Sequence, residues 1–276
     1  MADLVGVFAA SHTPVMLNFP ELISAEERED VLQAFRNLGK QLRAVHADSL
    51  IIISDDHLHN FFLNNFPAFC IGATDRYLTP VEHWLKAPRR ELRGDVALGA
   101  HLLAEALESD FDPSFSMDLT LDHGTLTPLE LSGFADDVGI VPILVNCVQP
   151  PLPTMRRALQ WGQFLRTAVQ RFSGVQRVAI LATGGLSHDV GTPRMGIVDE
   201  RFDREFLDSL RQSDRSAAVR YAQANVDRAG NGTEEVRTWL MAHGAAGQAH
   251  FEVLYYRAVA KWYAGIGIGQ WRVDSA

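Results

Sequence analysis

The sequence predicts an α/β fold: a mainly parallel central sheet flanked by helices, with a helical C-terminal third. Three observations carry this. Short apolar runs alternate with longer segments whose apolar residues recur at helical spacing. The runs are too uniformly apolar to be half-exposed, as expected of strands covered on both faces. No Gly/Ser/Pro-rich linker, internal repeat or low-complexity segment interrupts residues 1–276, so one domain is expected.

Leu4–Ala10 reads as the first strand. Ala25–Ala47 places Val31, Leu32, Phe35, Leu38, Leu42 and Val45 at helical spacing. Ser49–Ser54 is a second strand, built on Leu50-Ile51-Ile52-Ile53. Arg90–Glu108 is expected to be one helix, and Phe115–Leu121, which alternates, a strand. Gly139–Val148 and Val178–Thr183 are further apolar strands, with a helix over Pro153–Arg171 between them. Beyond Asp199 the pattern predicts helices at Phe202–Leu210, Ala217–Val226, Thr233–His243 and His250–Tyr263, packed on the same sheet.

Composition narrows the function classes. With 47% hydrophobic and 21% charged residues among 276, the chain can bury a sizeable core. A formal charge of −9 and the lack of a basic stripe argue against a nucleic-acid partner. Cys70 and Cys147 sit in apolar stretches and read as buried free thiols, which fits a reducing compartment. No window approaches a membrane span, and the apolar N-terminus lacks the basic flank of a signal peptide, so a cytoplasmic location is expected.

Ten histidines are present, and four fall just past the predicted carboxyl ends of strands: His12, His57, His123 and His188. Ligands of open α/β sheets bind in the crevice outside those ends. Imidazoles from four distant segments are therefore expected to converge there. His59, two residues beyond His57, competes with it on position alone. His46, His83, His101, His243 and His250 lack such company and read as surface or satisfied core residues. "GIGIGQ" (Gly265–Gln270) follows a segment read as helix, so it does not meet the strand–turn–helix order of a dinucleotide loop. Ser187 lies outside a G-x-S-x-G nucleophile elbow.

The stretches "SHTPVM", "DHLHNFFLNNFPAFCIG", "DHGTLTPLEL", "GGLSHD", "FDREFLDSL" and "EEVRTWLMAHGA" run, in this order, from the N-terminus to about residue 245. In order and spacing they resemble the class III extradiol ring-cleavage dioxygenases, the superfamily of the protocatechuate 4,5-dioxygenase β subunit. The family's Asp-His pair at the end of the second strand maps onto Asp56-His57, which prefers His57 over His59. The resemblance implies His12, His57 and Glu235 as ligands of Fe(2+). Two histidines and one carboxylate on one face of that ion leave the opposite positions open. Composition alone does not select Glu235 over Glu234 or Glu252.

The implied reaction joins a small aromatic diol and O2, breaks the ring beside the diol, and gives a muconic semialdehyde type of product. His188 is expected as the base and His123 as the acid, since imidazole titrates near neutrality. Asp56 is placed to orient His57 from behind. Arg194 or Arg237 would serve an acidic substrate. "FFLNNFPAF" and His83-Trp84 are candidates for an aromatic pocket wall. A zinc hydrolase on the same pocket and an aminophenol substrate are the alternatives. The chain starts directly on the metal-bearing strand, so any helper domain is expected to be absent or separate. A homo-oligomer is expected from how common they are.

Overall fold

The computed structural model describes residues 1–134, 138–175 and 177–273. The chain opens with β1 (Asp3–Ala10), a short α1 (Val15–Asn18), α2 (Ala25–Ala44) and β2 (Ser49–Asp55). β3 (Phe69–Gly72) precedes a small hairpin, β4 (Arg76–Thr79) and β5 (Arg90–Arg93). Next come α3 (Val96–Glu108), β6 (Ser114–Ser116), α4 (His123–Ser132) and β7 (Gly139–Val145). α5 (Met155–Arg171) leads to β8 (Arg177–Thr183), then α6 (Glu200–Ser209), α7 (Ser216–Ala229) and α8 (Val236–Ala246). The chain finishes on β9 (His250–Val259) and β10 (Ala264–Arg272).

Eight strands form one mixed sheet in the order β6-β3-β7-β2-β8-β1-β10-β9. Its centre, β7-β2-β8-β1, is parallel throughout. β2, β8 and β1 are thus direct neighbours, and their carboxyl ends open on one edge. Strand alternation divides the core between two faces. Ile51, Ile53, Ile180 and Ala182 point toward α3, α5, α6, α7 and α8, while Leu50, Ile52 and Leu181 point toward α2, α4 and the β4-β5 hairpin. Each of these leucines and isoleucines, fully buried, contributes roughly 1.5–3 kcal/mol. Both thiols are buried and free as expected, and burial pushes Cys70 up to about 12. No described helix is long and apolar enough to cross a membrane.

Three expectations need correction. Arg90–Glu108 is not one helix: Arg90–Arg93 pairs with β4, and Asp95 then caps α3 by accepting from the Leu98 N–H at 3.0 Å. The strand expected at Phe115–Leu121 is confined to Ser114–Ser116. His250–Tyr263 is not a helix either. Its first ten residues form β9, paired along its length with β10, from His250 opposite Arg272 to Val259 opposite Ala264. Gly265-Ile266-Gly267-Ile268-Gly269 is the interior of β10, not a loop. Ile266 and Ile268 enter the core on one face, while a Cβ on Gly267 would lie 2.8 Å from the Leu186 side chain on the other. The C-terminal third is therefore three helices followed by a hairpin that completes the sheet.

Candidate metal centre

The parallel order of β1, β2 and β8 brings the residues after each strand together. His12 follows β1, His57 follows β2, and the Gly184–His188 turn follows β8. Glu235 ends a 3-10 turn, Asn231–Glu235, that leads into α8. Its place among charged neighbours reads as solvated, yet Glu235 is only 4% exposed because every residue of α8 is buried against the sheet and α5.

Donor atoms of His12, Asp55, His57 and Glu235 all lie within 4.8 Å of one another. His12 Nε2 stands 3.2 Å from Glu235 Oε2 and 3.8 Å from Asp55 Oδ1. His57 Nε2 stands 3.3 Å from Asp55 Oδ2 and 3.7 Å from Glu235 Oε1. Both Asp55 oxygens are buried and accept no hydrogen bond. Orphaned carboxylate oxygens facing two imidazoles are what a cation site requires. The residues present therefore fit a divalent metal held by His12, His57 and Glu235, with Asp55 within reach as a fourth donor, the second through oxygen.

The ring nitrogens facing away from the cluster are tied back. His57 Nδ1 donates to Asp122 Oδ2 at 2.8 Å, which leaves Nε2 for the cluster. Thr183 Oγ gives its proton to Ser54 Oγ at 2.9 Å and is left to accept from His12 Nδ1 at 3.4 Å. His188 Nδ1 donates to the Leu186 carbonyl at 2.9 Å, and its Nε2 lies 3.3 Å from Glu235 Oε1. Glu235 also accepts from the Gly185 N–H at 2.6 Å. Gly184, at φ +139°, permits this turn, and a Cβ there would meet Glu235 Cβ at 3.0 Å.

His123 reaches the same place from a helix start rather than a strand end. Its ring lies 4.1 Å from that of His57 and 5.6 Å from that of His12. Glu82 Oε1 accepts from its backbone N–H at 3.0 Å and from Nδ1 at 2.6 Å. The other Glu82 oxygen is buried without a partner, and His59 Nε2 lies 3.3 Å from Oε1.

The charges are strongly coupled. Burial drives Asp55 up to about 7, against the pull of His57. Burial works against the charged form of Glu235, but His188 and His12 overcome it and hold the carboxyl well below its usual range. Burial also opposes charge on His57 and His188; Asp55 and Asp122 raise the first, and Glu235 raises the second to about 9. Burial and the neighbouring His57 push His123 down to about 4.

A cavity of about 410 Å³ opens over the cluster, within the range usual for small-molecule sites. His12, His57, His123, His188 and Glu235 all line it. Asp56 does not. Its carboxylate accepts the N–H groups of His59, Asn60 and Phe61, and the role foreseen for it behind His57 falls to Asp122. Asp55, Asp122 and Glu82 were not singled out from the sequence. The signal for Asp55 was parity, since Asp55 and His57 project to one side of an extended chain and Asp56 to the other. Of the aromatic wall, Trp84 lines the cavity, and the phenylalanines of "FFLNNFPAF" do not. Arg194 and Arg237 are absent from the lining.

A parallel sheet whose strand ends bring two histidines and a carboxylate together at the floor of an open pocket is an arrangement that suits a metal-dependent enzyme. Residues 6–267 match the family described as the catalytic LigB subunit of aromatic ring-opening dioxygenase. The chain belongs to that family and is an extradiol ring-cleavage dioxygenase. It is 30% identical to a 2,3-dihydroxyphenylpropionate/2,3-dihydroxicinnamic acid 1,2-dioxygenase of Burkholderia vietnamiensis, over 93% of this chain and 94% of that one. A protein of the same name from Paraburkholderia phymatum is 28% identical over the same shares. Among solved structures, the uncharacterized protein JW3007 of Escherichia coli K12 superposes with a TM-score of 0.62 over 96% of this chain and 99% of that one. At 13% identity it supports the fold alone.

Proposed function

We propose that the chain is a ferrous, non-haem dioxygenase that opens a catecholic ring beside its diol to a muconic semialdehyde type of product. The observation that carries this is the meeting of His12 Nε2, His57 Nε2 and the Glu235 carboxylate at one buried point, with Asp55 unpaired beside them. Fe(II) bound there would supply open positions for the diol oxygens and for O2. The protein's own part is to orient the donors and manage protons. Asp122 and Thr183 fix the ligand imidazoles, so their Nε2 atoms need no reorganisation. The wall around the cluster holds the ring and excludes water.

His188 and His123 are the proton-transfer pair of this reading. With Glu235 committed to a cation, His188 loses the charge that raises it and becomes a neutral imidazole able to take a diol proton. His123, backed by Glu82, is the acid of this reading and must first take up the proton that the diol releases, because burial and His57 hold its ring neutral. The metal-free charges favour the reverse order, because there His123 is held neutral and His188 protonated. The limb missing from the kcat/KM profile of each His→Gln variant distinguishes the two.

The test of the whole reading is anaerobic loading with Fe(II), then addition of a 3-substituted catechol in air. Oxygen uptake with a yellow product is expected with iron and not with zinc. Equal turnover with zinc, or bound iron with no oxygen uptake, overturns it. A 2-aminophenol in parallel separates diol from aminophenol preference.

A further inference from the structure

The cavity has two chemically distinct parts. Its floor is the cluster of imidazoles and carboxylates. Its wall includes Val15, Trp84, Val190, Met195 and Tyr263, and no lysine or arginine among the described residues. Trp84, Val190 and Met195 are each left about half exposed (54%, 60% and 47%). Large apolar side chains left open around one pocket mark a surface that a ligand covers.

Three cations close in sequence to lining residues already have partners, and that of Arg194 is Asp189, which itself lines the cavity. Arg194 Nε lies 3.1 Å from Asp189 Oδ2, and its Nη2 donates to the Arg228 carbonyl at 2.6 Å. Arg237 is buried on Glu234 and the Pro153 carbonyl. Lys86 donates to the Asn18 carbonyl at 2.6 Å and lies 5.2 Å over the Phe19 ring. A carboxylate carried into this wall would lose its water, face the Asp189 carboxylate and find no lysine or arginine among the described lining residues.

We propose that the preferred substrate carries a neutral, apolar substituent on its ring, seated against Trp84, Val190 and Met195. The relatives reported above are instead named for substrates with a carboxylate-bearing side chain. The proposal rests on the ring-cleaving reading for the placement of the diol.

The test uses 3-(2,3-dihydroxyphenyl)propionate and its methyl ester, which share ring, diol and chain but differ in charge. Binding to the iron-loaded protein is read by calorimetry under nitrogen, and cleavage by oxygen uptake in air. The ester is expected to bind about tenfold more tightly and to show its advantage in KM rather than kcat. Met195→Lys, at a half-exposed wall position, is expected to shrink that gap by favouring the acid. An acid bound as tightly as the ester by the native protein, or a gap unmoved by Met195→Lys, overturns the proposal. Tighter binding of the ester with cleavage of neither compound supports the apolar wall and overturns the ring-cleaving reading instead.

Discussion

Asp122 grips His57 twice: its Oδ2 accepts from the backbone N–H at 3.0 Å and from Nδ1 at 2.8 Å. Its other oxygen caps α4 by accepting from the Gly124 N–H at 2.9 Å. One carboxylate thus couples the His57 imidazole to the helix that presents His123. Asp122→Ala is expected to lower iron affinity about 10–100-fold. Asp56→Ala should leave iron affinity near native and cost about 2 kcal/mol of stability through the loop N–H groups it holds. Iron content after dialysis against a graded chelator, with urea unfolding alongside, checks both.

Asp55 is buried with no hydrogen bond to either oxygen, so its charge is unfavourable until a cation arrives. Asp55→Asn is expected to leave the metal-free fold at least as stable as the native one while weakening iron retention about tenfold or more. Melting temperatures with and without Fe(II) measure the two effects. A variant less stable without metal and unchanged in iron affinity contradicts this account.

Glu82 touches no group of the proposed ligand set, yet it holds both the backbone and the ring of His123. Glu82→Leu is expected to lower kcat by about 10²-fold, and Glu82→Gln, which keeps an acceptor, by about tenfold. KM should move little in either. Steady-state kinetics on iron-matched samples give the split.

His243 lies in the core, far along α8 from Glu235, with Trp271 Nε1 donating to its Nδ1 at 3.1 Å. Burial and the Arg215 charge push it down to about 3. Its folded pKa is below the unfolded one of about 6.5, so the unfolded chain takes up the proton first. The stability it contributes is complete above pH 6.5 and is lost as pH falls toward 3. Between pH 7 and 5 this amounts to about 2 kcal/mol. His243→Gln should lose less over the same interval in urea titrations at each pH.

What could be read from the residues followed their physical reach. His12 and His57 were legible because buried strands announce themselves, and in a parallel sheet their carboxyl ends open on one edge. His123 was picked as the residue past a strand end, yet that strand stops at Ser116 and His123 is instead the first residue of α4, so the position was read on a wrong element. Glu235 was legible only through the family resemblance, because nothing local distinguishes a buried 3-10 turn from a solvated one. Glu82 approaches His123 from 41 residues away through tertiary packing, and no local pattern records that. The strand over His250–Val259 was read as a helix because Phe251, Leu254, Tyr255 and Ala258 also satisfy helical spacing. Its partner's alternating glycines, which fit between Leu186 and Phe251, were the better signal.

The order of the strands has a consequence for biosynthesis. The first strand, which carries His12, lies between β8 and β10, so neither of its neighbours exists until most of the polypeptide has been translated. Glu235 emerges from the ribosome just as late. A nascent chain therefore cannot bring His12, His57 and Glu235 together until β8 and the turn that carries Glu235 have both been translated.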